Sequence, residues 1–199
     1  MKLVLMTKPT FFVEEDKILT ALYDEGLDNL HLYKPGAAPM YSERLLTLLP
    51  EDQHETITVH EHFYLKEEYH LGGIHIDDMA TPIPEGYKGH VSCTCTLDDD
   101  IAEAKHNFNY IILRDTFSTG GSFNRNDMGR LEEASRRGII DRRVYAMGGI
   151  TVDNIQQAKR LGFGGVVVDD DLWNKFDIHK QNDYTDLLNH FDQLRKAAL

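Results

Sequence analysis

Short apolar runs alternate with stretches of helical spacing along nearly the whole chain. The pattern predicts strands over 2–6, 29–34, 55–60, 73–76, 90–95, 110–115, 144–147 and 165–169. Between them, apolar residues three and four apart predict helices over 14–23, 42–49, about 63–71, 98–106, 127–137 and 152–161. A last helix is expected over about 184–198. Gly26, Pro50, Gly138 and Gly162 read as stops, and Thr96 and Thr151 as caps. One unit breaks the rhythm. Between Ile76 and Gly89 stand Pro82, Pro84 and Gly86, so a loop or a single helical turn is expected there. Eight strands separated by helices argue for βα units and a parallel sheet. They predict one domain over 1–199, an α/β (β/α)8 TIM barrel with a short or missing helix after the fourth strand. An open doubly wound sheet is the other arrangement.

Several strands are less oily than buried parallel strands usually are. His31 and Tyr33 alternate with Leu30 and Leu32, Thr56, Thr58 and His60 with Ile57 and Val59, and His75 with Ile74 and Ile76. Ser92 and Thr94 share a face, and Arg114 shares that of Ile112. Period two puts each polar set on one side of its strand. In a barrel that side is the lumen, whose polar residues near strand C-termini carry chemistry in this architecture. The pattern predicts a ligand pocket built from His31, Tyr33, His60, His75, Ser92, Thr94 and Arg114. An antiparallel sheet with one solvated face, or a core polar network that satisfies itself, accounts for the same pattern.

Composition narrows the class. Of 199 residues, 41% are hydrophobic and 27% charged, which suits a globular domain and not a disordered chain or coiled coil. Net charge is −12, which disfavours binding to a phosphate backbone. No run approaches the ~18 apolar residues of a membrane span. The apolar start is too short for a signal peptide, and Cys93 and Cys95 lie too close to staple a fold. The expectation is a cytoplasmic protein with reduced thiols, no nucleic-acid partner and no membrane.

Other constellations are smaller. His60-Glu61-His62 follows a strand and would present both imidazoles to a metal only if that strand continued. Asp98, Asp99 and Asp100 open a helix, where carboxylates suit the positive dipole end. Asp169, Asp170 and Asp171 follow the last strand and read equally as a cation site or a cap. Gly148-Gly149 precedes a helix after the seventh strand, where barrels commonly bind phosphate. Thr119-Gly120-Gly121-Ser122 is a second candidate anion nest.

With these residues in order, the chain resembles the thiamine phosphate synthase and TenI (thiazole tautomerase) family over about 29–173. The most specific pieces are Gly73-Ile74-His75-Ile76, Val91-Ser92, Asn109 to Leu113 with Phe117 and Thr119, and Ala146-Met147-Gly148-Gly149-Ile150. Asp153-Asn154 and Gly162-Phe163-Gly164-Gly165-Val166 follow. The resemblance implies a transferase joining a pyrimidine diphosphate to a thiazole phosphate, with small phosphorylated heterocycles as partners and magnesium as the cofactor. It implies that the diphosphate departs from a carbocation-like pyrimidine.

The family's Gln-x-Arg-x-Lys falls on His31, Tyr33 and Pro35, with Lys34 one residue off. Its Asn-Asp pair falls on His60 and Glu61, and its second metal aspartate on Ala80, near Asp77 and Asp78. Ser92 is kept, Gly-Pro becomes Arg114-Asp115, and a TenI-type histidine would stand at Asp115. Thr119 is kept, Gly148 and Gly149 survive, and a serine becomes Asp170. The implied assignment gives Glu61 with Asp77 or Asp78 to magnesium, and Lys34, Ser92, Arg114 and Asp115 to catalysis. It gives His31, Tyr33, His60, His75, Thr94, Thr119, Gly148, Gly149, Asp169 and Asp170 to substrate. The alternatives are a tautomerase using Asp115, and a non-catalytic barrel that binds thiazole or thiamine phosphate. Homo-oligomerisation stays open.

Overall fold

Eight strands form a closed, wholly parallel barrel in a computed structural model of the chain. The structure describes residues 1–117, 125–176 and 184–199. In chain order the strands are β1 (Lys2–Met6), β2 (Leu30–Leu32), β3 (Ile57–Val59), β4 (Gly73–Ile76), β5 (His90–Cys95), β6 (Tyr110–Leu113), β7 (Val144–Met147) and β8 (Gly165–Val168). Each pairs with its sequence neighbour, and β1 closes on β8 with Lys2 opposite Gly165 and Leu5 opposite Val168. The expected TIM barrel is therefore present, and the open doubly wound sheet is not.

Around it lie α1 (Glu15–Asp24), α2 (Pro39–Leu48), α3 (Leu65–Glu68), α4 (Ile101–Asn107), α5 (Arg125–Arg136), α6 (Ile155–Leu161), α7 (Asp170–Trp173) and α8 (Thr185–Ala198). The loop holding Pro82 and Pro84 carries no helix, as its composition predicts. The helix expected over 63–71 shrinks to α3, which lies between His62 and His70, both at φ 53 in the left-handed region. Two caps also differ. Asp100, not Thr96, caps α4 by accepting from the Glu103 amide at 2.9 Å. Thr96 bonds Asp99 instead. At α6 the cap residue is Asn154 rather than Thr151. Its side chain accepts from the Thr151 amide at 2.9 Å and donates to the Gly149 carbonyl at 2.7 Å, bracing the turn after β7.

Alternation along the strands sorts the side chains into two cores. Outward residues such as Leu30, Leu32, Ile57, Val59, Ile74, Ile76, Val166 and Val168 pack against the helices in one continuous cluster with Cys93 and Cys95, both free. Each buried aliphatic side chain contributes about 1.5–3 kcal/mol. Inside the barrel, Val4, Met6, Ile112 and Val167 form a second, smaller cluster with Tyr33, Tyr110, Tyr145 and Met147. The seam between first and last strands is locked from above. Trp173, at the end of α7, donates its indole N–H to the Met6 carbonyl at 2.7 Å and meets Phe12 edge-on at 5.8 Å. No helix among the described residues is long and apolar enough to cross a membrane.

Close approach makes one glycine indispensable. A Cβ on Gly164 would sit 1.9 Å from the Arg142 carbonyl oxygen, where the strands β7 and β8 begin. Gly129, inside α5, has nothing within 4 Å of such an atom. Chemical denaturation should separate them. Gly164→Ala is expected to cost at least about 2 kcal/mol through overpacking. Gly129→Ala is expected to gain about 1 kcal/mol from helix propensity.

Candidate active site in the barrel lumen

The sheet is parallel and closed, so a solvated sheet face does not explain the polar alternation. Six of the seven expected pocket residues converge inside the barrel. His31, His60, His75 and Ser92 are buried, and Tyr33 and Thr94 are partly so. They come from β2 to β5 and the strand ends that follow, while β1, β6, β7 and β8 supply the apolar half of the lumen. Arg114 departs from the expectation. The strand ends at Leu113, and Asp115 turns to φ 58, so the side chain leaves the lumen for the rim. There it is half exposed and lies 3.6 Å from Asp115. It also borders a cavity of about 210 Å³ shared with Asp98, Thr116 and Arg130.

The lumen's polar half satisfies itself. His31 Nδ1 lies 2.9 Å from His60 Nε2, and His31 Nε2 meets the Tyr110 hydroxyl. His60 Nδ1 reaches Asp77 Oδ1 at 3.4 Å. His75 Nδ1 is 2.7 Å from Ser92 Oγ, and its Nε2 is 2.8 Å from Thr94 Oγ1. Ser92 and Thr58 stand near the Tyr110 hydroxyl and oppose the rise in its pKa. One orientation serves every group with neutral rings. Thr94 donates to His75 and His75 to Ser92, while Tyr110 donates to His31, His31 to His60, and His60 to the Asp77 carboxylate. Burial drives the sense of this. It pushes His31 and His75 well below the usual histidine range, with nearby imidazoles adding to the effect, and it pushes the Tyr110 hydroxyl up to about 12.

Tyr110 was outside the expected site, although it shares the alternation of Ile112 and stacks on Tyr145 at 4.7 Å. Its position at the start of β6 masked it, because barrel chemistry is sought at strand C-termini.

Lys34 lies elsewhere than the expected diphosphate contact. It has the parity of Leu32, on the outer face, and its ammonium pairs with Glu15 at 2.6 Å with side chains 1% and 2% exposed. It also donates to the Lys8 and Thr10 carbonyls and lies over the Phe11 ring. Burial raises the Glu15 pKa and lowers that of Lys34, each opposed by the partner's charge. The pair ties the loop after β1 to the end of β2.

The expected magnesium ligands separate into two sets. Glu61 is half-buried, and one oxygen accepts from the Lys34 amide at 3.1 Å. Burial and the backbone bond pull its pKa in opposite directions, with burial the stronger. Asp78 instead closes its own turn, accepting from the Ala80 and Thr81 amides at 2.8 and 2.9 Å. Magnesium typically takes one or two protein carboxylates plus substrate phosphates. Glu61 and Asp77 offer donors of that kind, and Asp78 has one oxygen committed to its own turn. His62 bonds the Ala37 carbonyl at 2.8 Å and takes no part with His60.

On the far side of the mouth, Gly148 and Gly149 have φ of 94 and 69, consecutive left-handed residues that suit glycine. The aspartate run after β8 divides. Burial raises the Asp169 pKa, Asp170 is exposed, and Asp171 holds His190 of α8 at 2.6 Å. Thr119 and the Gly120-Gly121-Ser122 nest lie outside the described residues.

The chain matches no protein-family model and no curated protein. It is similar to solved structures. A thiamine phosphate pyrophosphorylase from Bacteroides thetaiotaomicron matches at TM-score 0.89 and 48% identity, covering 100% of this chain and 98% of that one. One from Pyrococcus furiosus matches at TM-score 0.76 and 16% identity, covering 99% and 95%. The tryptophan synthase subunit alpha from Campylobacter jejuni matches at TM-score 0.67 and 11% identity, covering 96% and 94%, a likeness of fold alone.

The neutral histidines set a pH response. Their folded pKa values lie below the unfolded value near 6.5, so below that pH the unfolded chain binds more protons. Stability is expected to hold above pH 6.5 and to fall on acidification by up to about 1.4 kcal/mol per pH unit for each histidine. Urea denaturation at pH 7.5, 6.5 and 5.5 checks the slope, which His75→Gln should roughly halve.

Proposed function

Because the chain belongs to the thiamine phosphate pyrophosphorylase family, we propose that it joins hydroxymethylpyrimidine diphosphate to thiazole phosphate. The products are thiamine phosphate and diphosphate. The observation that carries this reading is the full-length likeness at 48% identity. In the reaction the pyrimidine methylene–oxygen bond breaks, the electron pair leaves with diphosphate, and the thiazole nitrogen forms the new bond to carbon.

Consecutive amides at Gly148 and Gly149 suit the thiazole phosphate, and the Asn154 side chain keeps that turn in place. Ser92 and Thr94 present hydroxyls for the pyrimidine. Glu61 and Asp77 are the pair suited to magnesium, which would offset the charge of the departing diphosphate. Arg114 is a half-exposed rim cation. Lys34 acts by holding the loop that carries Lys8.

The same buried Lys34–Glu15 pair supports a second reading, a non-catalytic barrel, since it removes one cation from the mouth. The TenI-like alternative needs an acid/base at Asp115, whose side chain is 86% exposed.

One assay decides among them. Purified protein, pyrimidine diphosphate, thiazole phosphate and magnesium are incubated, and thiamine phosphate is read by fluorescence after oxidation. Product is expected, lost on chelation of magnesium and reduced at least about tenfold by Glu61→Gln. Gly149→Ala, which forces an alanine into a left-handed backbone, is expected to raise KM for thiazole phosphate about tenfold with a smaller change in kcat. Binding without product leaves the non-catalytic barrel, and thiazole isomerisation without diphosphate leaves the tautomerase.

A further inference from the structure

We propose that His31, His60 and His75 form a binding site for one zinc-type divalent metal ion inside the barrel. The inference does not rest on the transferase reading. Three adjacent strand positions deliver the imidazoles to one side of the lumen, and one ring nitrogen from each lies within 4.8 Å of the others. All three side chains are buried. Among the described residues this is the only grouping of three metal-ligating side chains so close.

The donor chemistry selects the ion. Imidazole nitrogens suit zinc, cobalt, nickel and copper, whereas magnesium and calcium prefer oxygen. Four-coordinate zinc holds nitrogen at about 2.0–2.1 Å, so its ligands stand roughly 3.3 Å apart. His31 Nδ1 and His60 Nε2 already face each other at 2.9 Å and need to part by only a few tenths of an ångström. His75 stacks beside His60 with ring centroids 4.3 Å apart and needs a side-chain rotation to join them.

A metal-ligating histidine normally has its other nitrogen held by a second group. Each ring here has such a group. Tyr110 meets His31 Nε2, Asp77 meets His60 Nδ1, and Ser92 and Thr94 bracket His75. His75 would yield one hydroxyl to the ion and keep the other. The proton balance closes internally. His31 moves its proton from Nδ1 to Nε2 and donates to Tyr110, whose own O–H turns to Ser92 or Thr58. His60 keeps its Nδ1 proton on Asp77. Neutral rings are the state a metal requires.

The site differs from the Glu61 and Asp77 carboxylate pair in donor type, so the two are separable by ion. Cobalt(II) is the probe. Chelator-stripped protein is titrated with cobalt(II), then with zinc(II), and read by visible absorption. One equivalent of cobalt(II) should give the intense ligand-field bands of a four-coordinate site. Zinc(II) should displace it, and millimolar magnesium should not. His31→Gln, His60→Gln and His75→Gln should each weaken zinc(II) binding at least tenfold, and His106→Gln, on exposed α4, should not.

Because core histidine variants can fail to fold, two further readouts keep the proposal testable. Asp77→Asn, at the exposed mouth, should weaken zinc(II) about tenfold, because a neutral amide oxygen replaces the carboxylate that accepts from His60. Long-range proton–nitrogen NMR of the wild type should show His31 changing from the Nδ1–H to the Nε2–H form as zinc(II) is added. The proposal is overturned by absent or weak six-coordinate bands, by bands that survive all three histidine variants, by displacement with magnesium, or by an unchanged His31 tautomer at saturating zinc(II).

Discussion

Closing a parallel barrel leaves its interior no access to water except at the two ends, so every polar atom placed there must find a partner within the wall. That requirement governs this protein. Buried, unpaired polar groups cost about 1–3 kcal/mol each. The chain meets the requirement with two directed runs of hydrogen bonds, from Thr94 through His75 to Ser92 and from Tyr110 through His31 and His60 to Asp77. Each has one internally consistent sense, and the second ends on a carboxylate 66% exposed to solvent. The apolar residues on the other half, Val4, Met6, Ile112 and Val167, need no such arrangement and simply fill space. Polar and apolar halves thus divide the lumen along its length.

Much of this was legible in the sequence because two periodicities carry it. Alternation along 29–34 separates His31 and Tyr33 from the outward leucines, and the strands β1, β4, β5 and β7 match their predicted bounds. What escaped follows from where those periodicities stop. Arg114 has the lumen parity of Ile112 but lies beyond the last paired residue, where Asp115 reverses the chain. Lys34 carried an outward parity that a search for cations passed over, and its partner Glu15 lies on another element. No local pattern announces that pairing. Tyr110 was readable by parity and missed by position.

The mouth reflects the same economy. Lys34 and Glu15 bury opposite charges beneath the loop after β1, while Lys8 and Arg114 stay at the surface. Removing one partner of such a buried pair costs about 3–5 kcal/mol, since the other charge is left without compensation. The left-handed glycines after β7 lie across the opening from the carboxylates after β3 and β4.

The indole of Trp173 gives the fold a built-in spectroscopic reporter. The sequence holds a single tryptophan, and its ring is buried over the join of first and last strands with its N–H on the Met6 carbonyl. Intrinsic emission excited at the indole band therefore comes from the one place where the two ends of the sheet meet. In a refolding experiment that signal tracks ring closure, the longest-range pairing in the topology, while backbone circular dichroism follows the helices. A lag between the two would time the moment at which an open, curved sheet becomes a barrel.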